Sequence, residues 1–193
     1  RDLIKTRIHK GKEVVDMELS QNLIEDFFKK NNSNVVLLPG YIASNASGET
    51  TTLGRGGSDY SAALIANASG SEILEIWTDV SGMFTAHPKI VAQAKPIEKL
   101  SYYEAMELSY FGAKVIYPPT LQPIIEKNIP IVIKNTFAPE DAGTLIDDTP
   151  ALENGEIVKG ISHIDNVALI NLEGSGMIGI TGFSKRFFEI GRA

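Results

Sequence analysis

Three glycines and one arginine within the segment Thr51–Ala68 have the residue types and spacing of an anion-binding loop. Gly54, Gly56 and Gly57 surround Arg55 and lead directly into an alanine-rich stretch. Glycine permits positive φ angles and lets a ligand approach the backbone closely, and the start of a helix presents unpaired N–H groups to an anion. Arg55 adds a planar cation that can bind a carboxylate through two hydrogen bonds. The pattern predicts a site for a small anionic substrate.

Ser58 and Asp59 follow the glycines, and their side-chain oxygens could serve either a ligand or the helix N-terminus. A plain N-cap is therefore a second interpretation of Asp59, and it is compatible with the first. Glycine-rich turns between strand and helix are also common for purely structural reasons, and Arg55 is what favours a binding role here. The loop is neither of the two standard nucleotide loops, because it lacks a Gly-Lys-Ser/Thr ending and does not complete Gly-x-Gly-x-x-Gly.

Two further polar positions lie at the ends of predicted elements. Thr78 and Asp79 close a β-rich run, and the carboxyl ends of strands in an open α/β sheet are where nucleotides bind. Lys114 lies at a predicted helix end, where spacing alone favours a solvated charge near the helix C-terminus. His87 stands alone in a loop, and a lone histidine is more often an exposed loop residue than a functional group.

The composition limits the function classes. The chain has 193 residues, 43% of them hydrophobic, a net charge of −6, and no cysteine. We expect no nucleic-acid partner, because there is no basic footprint, and no membrane association, because no apolar run approaches the ~18 residues of a span. No thiolate metal site or disulfide can form. No metal-ligand constellation is evident, and a cytoplasmic location is expected.

The periodicity of apolar residues predicts alternating helices and strands, and hence an α/β layered sheet with flanking helices. Ser20 is the expected N-cap of the first helix, and Gly70 the terminator of the second. The predicted helices cover residues 19–30, 58–69, about 101–111 and about 118–128; the predicted strands cover residues 34–40, 72–78, 129–134 and 143–146.

A polar, turn-forming stretch at residues 147–159 is interpreted as a linker. Beyond it we predict a strand over 161–172, a tight loop over 173–176 and an amphipathic helix over 177–188. One strand and one helix cannot bury their apolar faces alone. Residues 160–193 are therefore expected to open a second domain, after a first domain at 1–146.

Three ordered motifs resemble the aspartate kinases of the amino-acid kinase superfamily. They are Thr52-Leu-Gly-Arg-Gly-Gly-Ser-Asp59, Trp77-Thr-Asp-Val-Ser-Gly82 and Tyr110-Phe-Gly-Ala-Lys-Val-Ile-Tyr-Pro-Pro119. Ile133-Lys-Asn-Thr136 and Gly143-Thr-Leu-Ile146 extend the match, and residues 161–188 resemble the start of a ferredoxin-like α+β ACT regulatory domain. The sequences around Tyr117-Pro-Pro-Thr120 and Ile133-Lys-Asn-Thr136 most resemble those of bifunctional aspartokinase–homoserine dehydrogenases.

The resemblance implies transfer of the γ-phosphoryl group of ATP, with Mg²⁺, to the β-carboxylate of L-aspartate. It implies that Arg55 holds the aspartate carboxylate with help from Ser58 and the amides of Gly56 and Gly57. It implies that Asp59 orients a catalytic lysine or the substrate ammonium group.

For the nucleotide, the resemblance implies contacts from Thr78, Asp79, Phe84 and Lys89, and it assigns Lys114 to the ATP phosphates as a catalytic and nucleotide-binding residue. The sequence His87-Pro-Lys89 stands where relatives often carry Asp-Pro-Arg. Lys89 keeps the charge of that arginine without its planar fork.

The ACT-like segment implies feedback control by an amino-acid effector, lysine or threonine, and homo-oligomers formed through ACT domains. The expected effector contacts are Gly174, Ser175, Gly176, Met177 and Ile178, although a simple glycine turn explains the same residues. The Lys-Phe-Gly-Gly loop of aspartate kinases is missing from this chain. We therefore expect the C-terminal, nucleotide-side part of the kinase domain, with little or no activity alone.

Three alternative functions stand beside the aspartate kinase hypothesis. A different amino-acid kinase, acting on glutamate or carbamate, is disfavoured by Arg55-Gly-Gly-Ser-Asp59 and by the ACT-like tail. A non-catalytic nucleotide- or amino-acid-binding module would be favoured if the anion loop were collapsed or filled by side chains. A dinucleotide-binding dehydrogenase is disfavoured, because no glycine fingerprint follows the first strand.

Overall fold

A computed structural model describes residues 1–113, 115–148 and 158–168, together with Gly182 and Lys185. The chain divides into a first compact unit, Arg1–His163, and a second, Ile164–Ala193. In the second unit, the described stretch 164–168 contains neither helix nor strand.

The first unit contains helices and strands in the mixed order expected of an α/β domain. In chain order they are β1 (Thr6–His9), β2 (Lys12–Val15), α1 (Met17–Lys30), β3 (Ile42–Ser44), β4 (Thr50–Thr52), α2 (Gly57–Ser69), β5 (Leu74–Thr78), β6 (Lys99–Ser101), α3 (Tyr102–Leu108), a π-helical turn (Ser109–Ala113), a 3₁₀ turn (Pro118–Thr120), α4 (Leu121–Ile125), β7 (Ile131–Asn135) and β8 (Thr144–Asp147). The predicted α/β class is confirmed.

Four strands form the main sheet, in the order β5-β7-β8-β6. Strands β5 and β7 are parallel, and their last residues, Thr78 and Asn135, are register partners. Strand β8 is antiparallel to β7 and parallel to β6. Because β5 and β7 end side by side, the loops that leave them begin at the same edge of the sheet. Thr78 and Asp79, which the sequence analysis predicts to contact a nucleotide, lie at this edge.

The main core lies between one face of this sheet and the helices α2, α3 and α4. Alternate residues of β5 and β7 point into it, which explains the apolar alternation in their sequences. Ile131, Ile133, Ile146 and Leu100 are completely buried there. Ala63 and Ala66 bring the backbone of α2 close to this core.

A second core lies on the other side of α2. Leu64 and Ala68 of α2 pack with Ile24 of α1 and Ala43 of β3. Helix α2 is therefore apolar on two faces, and its alanine content follows from this double packing. The glycine-rich loop that precedes α2 is thereby fixed to a helix held from both sides.

The first helix begins earlier than predicted, and Ser20 is not its N-cap. Asp16 caps the helix by accepting a 3.2 Å hydrogen bond from the Leu19 amide. Ser20 is buried inside α1, and its hydroxyl oxygen accepts a 2.9 Å bond from the Lys5 amide. The sequence could not reveal this tertiary contact, which links β1 to the helix.

The strand predicted over residues 34–40 is wrong. This stretch forms neither helix nor strand, and Val35 and Leu37 are 84% and 95% exposed. An apolar run becomes a strand only when a neighbouring strand satisfies its backbone hydrogen bonds, and no described strand pairs with it.

Several other boundaries also differ from the sequence expectations. The hairpins β1–β2 and β3–β4 were not predicted. The helix expected near 101–111 ends at Leu108 and is followed by the turn Ser109–Ala113, whose backbone is non-helical at Phe111 and Gly112. The helix expected near 118–128 is reduced to a 3₁₀ turn and α4.

The strand predicted over 161–172 is absent from its described part, 161–168. The loop predicted at 173–176 lies outside the described residues, as does nearly all of the helix at 177–188. No described helix has the length and apolar character needed to cross a lipid bilayer.

Candidate functional site

Two glycines give the loop before α2 its shape. Gly54 and Gly56 have φ angles of 72° and 67°, the left-handed region that side-chain-bearing residues rarely adopt. Gly56 is the N-cap of α2, and no side chain caps this helix end. The alternative interpretation of Asp59 as the N-cap is therefore wrong, because Asp59 lies inside the first turn. An anion at this helix N-terminus would not have to displace a capping side chain.

Two close contacts explain why the loop must contain glycine at Gly56 and Gly57. A Cβ atom at Gly56 would collide with the side chain of Tyr117. A Cβ atom at Gly57 would come within 2.9 Å of the side chains of Leu53 and Tyr41. The loop is thus packed directly against the turn that contains Tyr117.

The predicted substrate residues lie together on this loop. Arg55 is exposed, and none of the ion pairs between described residues includes it. Ser58 is also exposed, and its hydroxyl donates a 3.4 Å hydrogen bond to Asp59 Oδ1. No protein acceptor in the described part of the chain therefore competes with a ligand for the Arg55 guanidinium.

Asp59 is half-buried at the start of α2. Burial raises the pKa of its carboxyl group, and the hydrogen bond from Ser58 opposes that shift only in part. A half-buried carboxylate at a ligand-facing loop is a common feature of functional sites, because its charge is expensive without a partner.

The second group of predicted residues follows β5. The Thr78 hydroxyl donates a 3.2 Å hydrogen bond to Asp79 Oδ1, and the Thr78 carbonyl accepts a 2.8 Å bond from the Thr136 amide. Gly82, with a φ of 105°, packs against Thr144. The buried Thr144 hydroxyl accepts a 2.8 Å bond from the Met83 amide and donates a 2.6 Å bond to a backbone carbonyl. The loop after β5 is thus fixed at both ends.

A side-chain network supports the same loop, and sequence reasoning missed it. The Asn135 side-chain amide donates a 2.9 Å hydrogen bond to Ser81 Oγ, which in turn donates to Asp141 Oδ2 at 2.5 Å. The signal in the sequence was their position, because Asn135 is the last residue of β7 and Ser81 lies in the loop that follows β5, the parallel neighbour of β7. The Asn135–Ser81 bond links the motif at 133–136 to the motif at 77–82, and the contacts of Thr144 with Gly82 and Met83 link the motif at 143–146 to the same loop.

A pocket of about 370 Å³ opens beside the loop after β5. Three of the predicted nucleotide residues, Asp79, Phe84 and Lys89, line it, and Thr78 directly precedes Asp79. The rest of the lining is mostly apolar side chains and glycine backbone, from Val80, Gly82, Ala86, Pro88, Leu108, Gly112, Ala113, Val115 and Ile161. It also includes three polar side chains, those of His87, Ser162 and His163. An apolar cavity with a carboxylate and an ammonium group suits a flat heterocycle with charged substituents.

Lys114 lies outside the described residues, but its neighbours Ala113 and Val115 line the pocket. Gly174, Ser175, Gly176, Met177 and Ile178, the predicted effector contacts, also lie outside the described residues. The roles of these six residues stay predictions.

His87 both is exposed and lines the pocket. Its Nδ1 accepts a 3.2 Å hydrogen bond from the Lys89 amide, which fixes the ring relative to that residue. The ring of His163 packs edge-to-face on it, with 5.4 Å between centroids.

One short segment connects the pocket to the glycine loop. Gly112, Ala113 and Val115 line the pocket, and Tyr117 packs against Gly56. The two predicted sites are therefore neighbours, joined by the segment that also carries Lys114.

No group of three or more His, Asp or Glu side chains in the described part of the chain is arranged to hold a metal ion.

Comparison with known proteins agrees with the motifs. Residues 2–135 match the model of the amino acid kinase family. The bifunctional aspartokinase/homoserine dehydrogenase of Haemophilus influenzae is 50% identical over 155 residues, which are 80% of this chain and 19% of that protein. The lysine-sensitive aspartokinase 3 of Escherichia coli is 39% identical over 82% of this chain and 35% of that protein.

Among solved structures, E. coli aspartokinase III in complex with aspartate and ADP matches with a TM-score of 0.72 and 37% identity. The match covers 78% of this chain and 34% of that one. The chain thus spans from about a fifth to about a third of the length of these relatives. The resemblance to aspartokinases is confirmed.

Proposed function

This chain belongs to the amino acid kinase family, and we propose that it forms the nucleotide-side part of an aspartate kinase. The reaction is transfer of the ATP γ-phosphoryl group to the β-carboxylate of L-aspartate, a step in the biosynthesis of lysine, threonine and methionine. The observation that carries the proposal is the juxtaposition of two sites. An apolar pocket lined by Asp79, Phe84 and Lys89 adjoins a glycine-rich helix start that bears Arg55.

The pocket residues fit an adenosine group. Phe84 offers an aromatic face, and the loop bearing Asp79 is held by Thr144 and Gly82, so that it can bind without reorganising. Lys89 supplies a positive charge at the same pocket. Bound ATP supplies the group to be transferred, and the protein residues position it.

The loop before α2 fits a dicarboxylic amino acid. Arg55 would bind a carboxylate through its two-pronged guanidinium, and the Gly56 and Gly57 amides with Ser58 would add donors at the positive end of α2. Asp59, half-buried one residue further, would orient the substrate ammonium group or a lysine. Its raised pKa reflects burial without a described cationic partner, and a bound cation would reverse that shift.

Lys114 is assigned to the phosphates, because the segment around it joins the two sites. Phosphoryl transfer needs positioning and charge neutralisation more than covalent help from the protein. Mg²⁺ is proposed to bind through the phosphate oxygens, since the described residues offer no carboxylate cluster of their own.

Regulation and assembly are proposed from the relatives. E. coli aspartokinase III has been crystallised with lysine and aspartate in a T-state. We propose an amino-acid effector, lysine or threonine, acting through an ACT domain that begins near residue 160, in a cytoplasmic homo-oligomer. The boundaries 1–146, 147–159 and 160–193 belong to this proposal.

The test is a pair of substitutions that should affect different substrates, made in the protein at its full length. Arg55→Ala is expected to raise KM for aspartate by at least about tenfold, the effect of losing a bidentate charged contact worth ~1.5–3 kcal/mol, with little change in KM for ATP. Phe84→Ala should raise KM for ATP and leave aspartate nearly unaffected.

Arg7→Ala is the matched control, because Arg7 is an exposed arginine in β1, outside the pocket lining and the glycine loop. It should leave both constants unchanged. An aspartate KM in Arg55→Ala close to that of the wild type would contradict the assignment of Arg55 to aspartate. An unchanged KM for ATP in Phe84→Ala would contradict the assignment of the pocket to the nucleotide.

A further inference from the structure

The segment Val158–His163, here termed the strap, belongs to the first compact unit and lies along one side of the pocket. Three of its residues, Ile161, Ser162 and His163, line the pocket. We propose that the strap is a wall of the nucleotide site, and that nucleotide binding and strap docking stabilise each other. This inference rests on the proposed nucleotide site, and it adds ligand-contacting residues that no sequence motif indicated.

Two polar contacts hold the strap in place. Lys159 Nζ lies 3.2 Å from Glu104 Oε1, and only 14% of the lysine side chain is exposed. The Ile161 amide donates a 2.9 Å hydrogen bond to the carbonyl of Thr85, in the loop between Phe84 and His87. The strap is thus attached both to α3 and to the loop that carries the predicted nucleotide residues.

Two packing contacts complete the docking. Gly112, with a φ of 124°, allows the His163 carbonyl to approach so closely that any Cβ atom would collide with it. The His163 ring packs edge-to-face on the ring of His87. Because Gly112 and His87 also line the pocket, these contacts join the strap to two other sides of the same cavity.

The strap bounds the cavity without filling it. With the strap docked, the pocket still measures about 370 Å³, within the range of roughly 300–1,000 Å³ typical of small-molecule sites. The Ile161 side chain lines this space yet is 68% exposed, so an apolar ring that covered it would gain from its burial. A ligand that contacts the docked strap must favour the docked state, and strap docking must strengthen ligand binding equally.

The test uses ADP with Mg²⁺ as the probe and the protein at its full length. Lys159→Met removes the ion pair with Glu104 at a residue that does not line the pocket. Calorimetric titration should show ADP affinity reduced by at least about fivefold, the lower range of ordinary coupling between sites. Lys99→Met, the matched control, removes the 3.1 Å Lys99–Asp147 ion pair away from the pocket, and its ADP affinity should stay within about twofold of wild type.

Hydrogen exchange of the Ile161 amide gives a second, independent readout. In the wild type, ADP should slow exchange of the Ile161 amide by at least about fivefold, because the hydrogen bond from this amide to the Thr85 carbonyl opens less often when the nucleotide is bound. Unchanged ADP affinity in Lys159→Met, or faster Ile161 exchange with ADP, would overturn the inference and leave the nucleotide site intact. Failure of the wild type to bind ADP would overturn both.

Discussion

The proposed binding role of Asp59 would come at the expense of stability. The carboxyl group is half-buried at the first turn of α2, and burial raises its pKa despite the hydrogen bond from Ser58. A raised folded pKa means that ionisation of Asp59 opposes folding. A loss of folding stability of this kind is common where a charged side chain is placed to bind a ligand.

Asp59→Asn is therefore expected to raise the melting temperature at neutral pH and, in the protein at its full length, to abolish the proposed kinase activity. The gain should be complete above the folded pKa and should vanish as pH falls below the ordinary value of 3.8, where both states are protonated. Thermal unfolding across the acidic range measures it. Asp2→Asn, at a side chain 81% exposed, serves as the control and should change little. A lower melting temperature for Asp59→Asn at neutral pH would contradict this account.

At the scale of elements, α3 is positioned by its N-terminus. Ser101 and Glu104 form a capping box, in which each side chain satisfies the other residue's backbone amide. Glu104 also pairs with Lys159. One carboxylate thus stabilises both the start of the helix and the docking of residues 158–163.

This double role predicts a pH dependence. Burial alone would raise the pKa of Glu104, but hydrogen bonds from Ser101 and Lys159 outweigh it, and the net pKa is lowered. The stabilisation is therefore present above the ordinary value of 4.5 and is lost as pH falls through the lower folded pKa. Urea midpoints should fall more steeply below about pH 4.5 in the wild type than in Glu104→Gln. Parallel pH profiles would show that the ionised carboxylate contributes nothing.

At the scale of the whole molecule, the structure separates apolar residues that stabilise the core from those that do not. Leu100, in strand β6 and flanked by the polar residues Lys99 and Ser101, is completely buried, whereas Leu37, in the apolar run 34–40, is 95% exposed. Hydrophobicity along the chain does not distinguish them.

The same substitution at both positions tests this difference. Leu100→Ala should cost about 2–5 kcal/mol of unfolding free energy, because it removes buried methylene groups and leaves a cavity. Leu37→Ala should change stability by less than about 0.5 kcal/mol. Denaturant unfolding measures both, and a comparable loss in Leu37→Ala would mean that residues 34–40 are buried after all.

The local features were predictable from sequence. Helix α2 was predicted over residues 58–69 and spans Gly57–Ser69, and Gly70 ends it as expected, because left-handed backbone is a property of glycine itself. Strands β5 and β7 follow from alternating apolar residues, which reflect burial of one sheet face. The position of Thr78 and Asp79 at the end of a strand followed from the rule that ligands bind at the carboxyl ends of strands in an open α/β sheet, whereas Phe84 was assigned from the family resemblance.

Only the tertiary structure decided which distant residues complete the site. Thr144 fixes the loop after β5, Tyr117 packs on Gly56, and His163 closes one side of the pocket. The same structure left residues 34–40 unpaired and gave the cap of α1 to Asp16 in place of Ser20. Contacts of this kind depend on which surfaces meet after folding. The local sequence determines backbone preference and the pattern of burial, but it does not identify the surface against which a residue will pack.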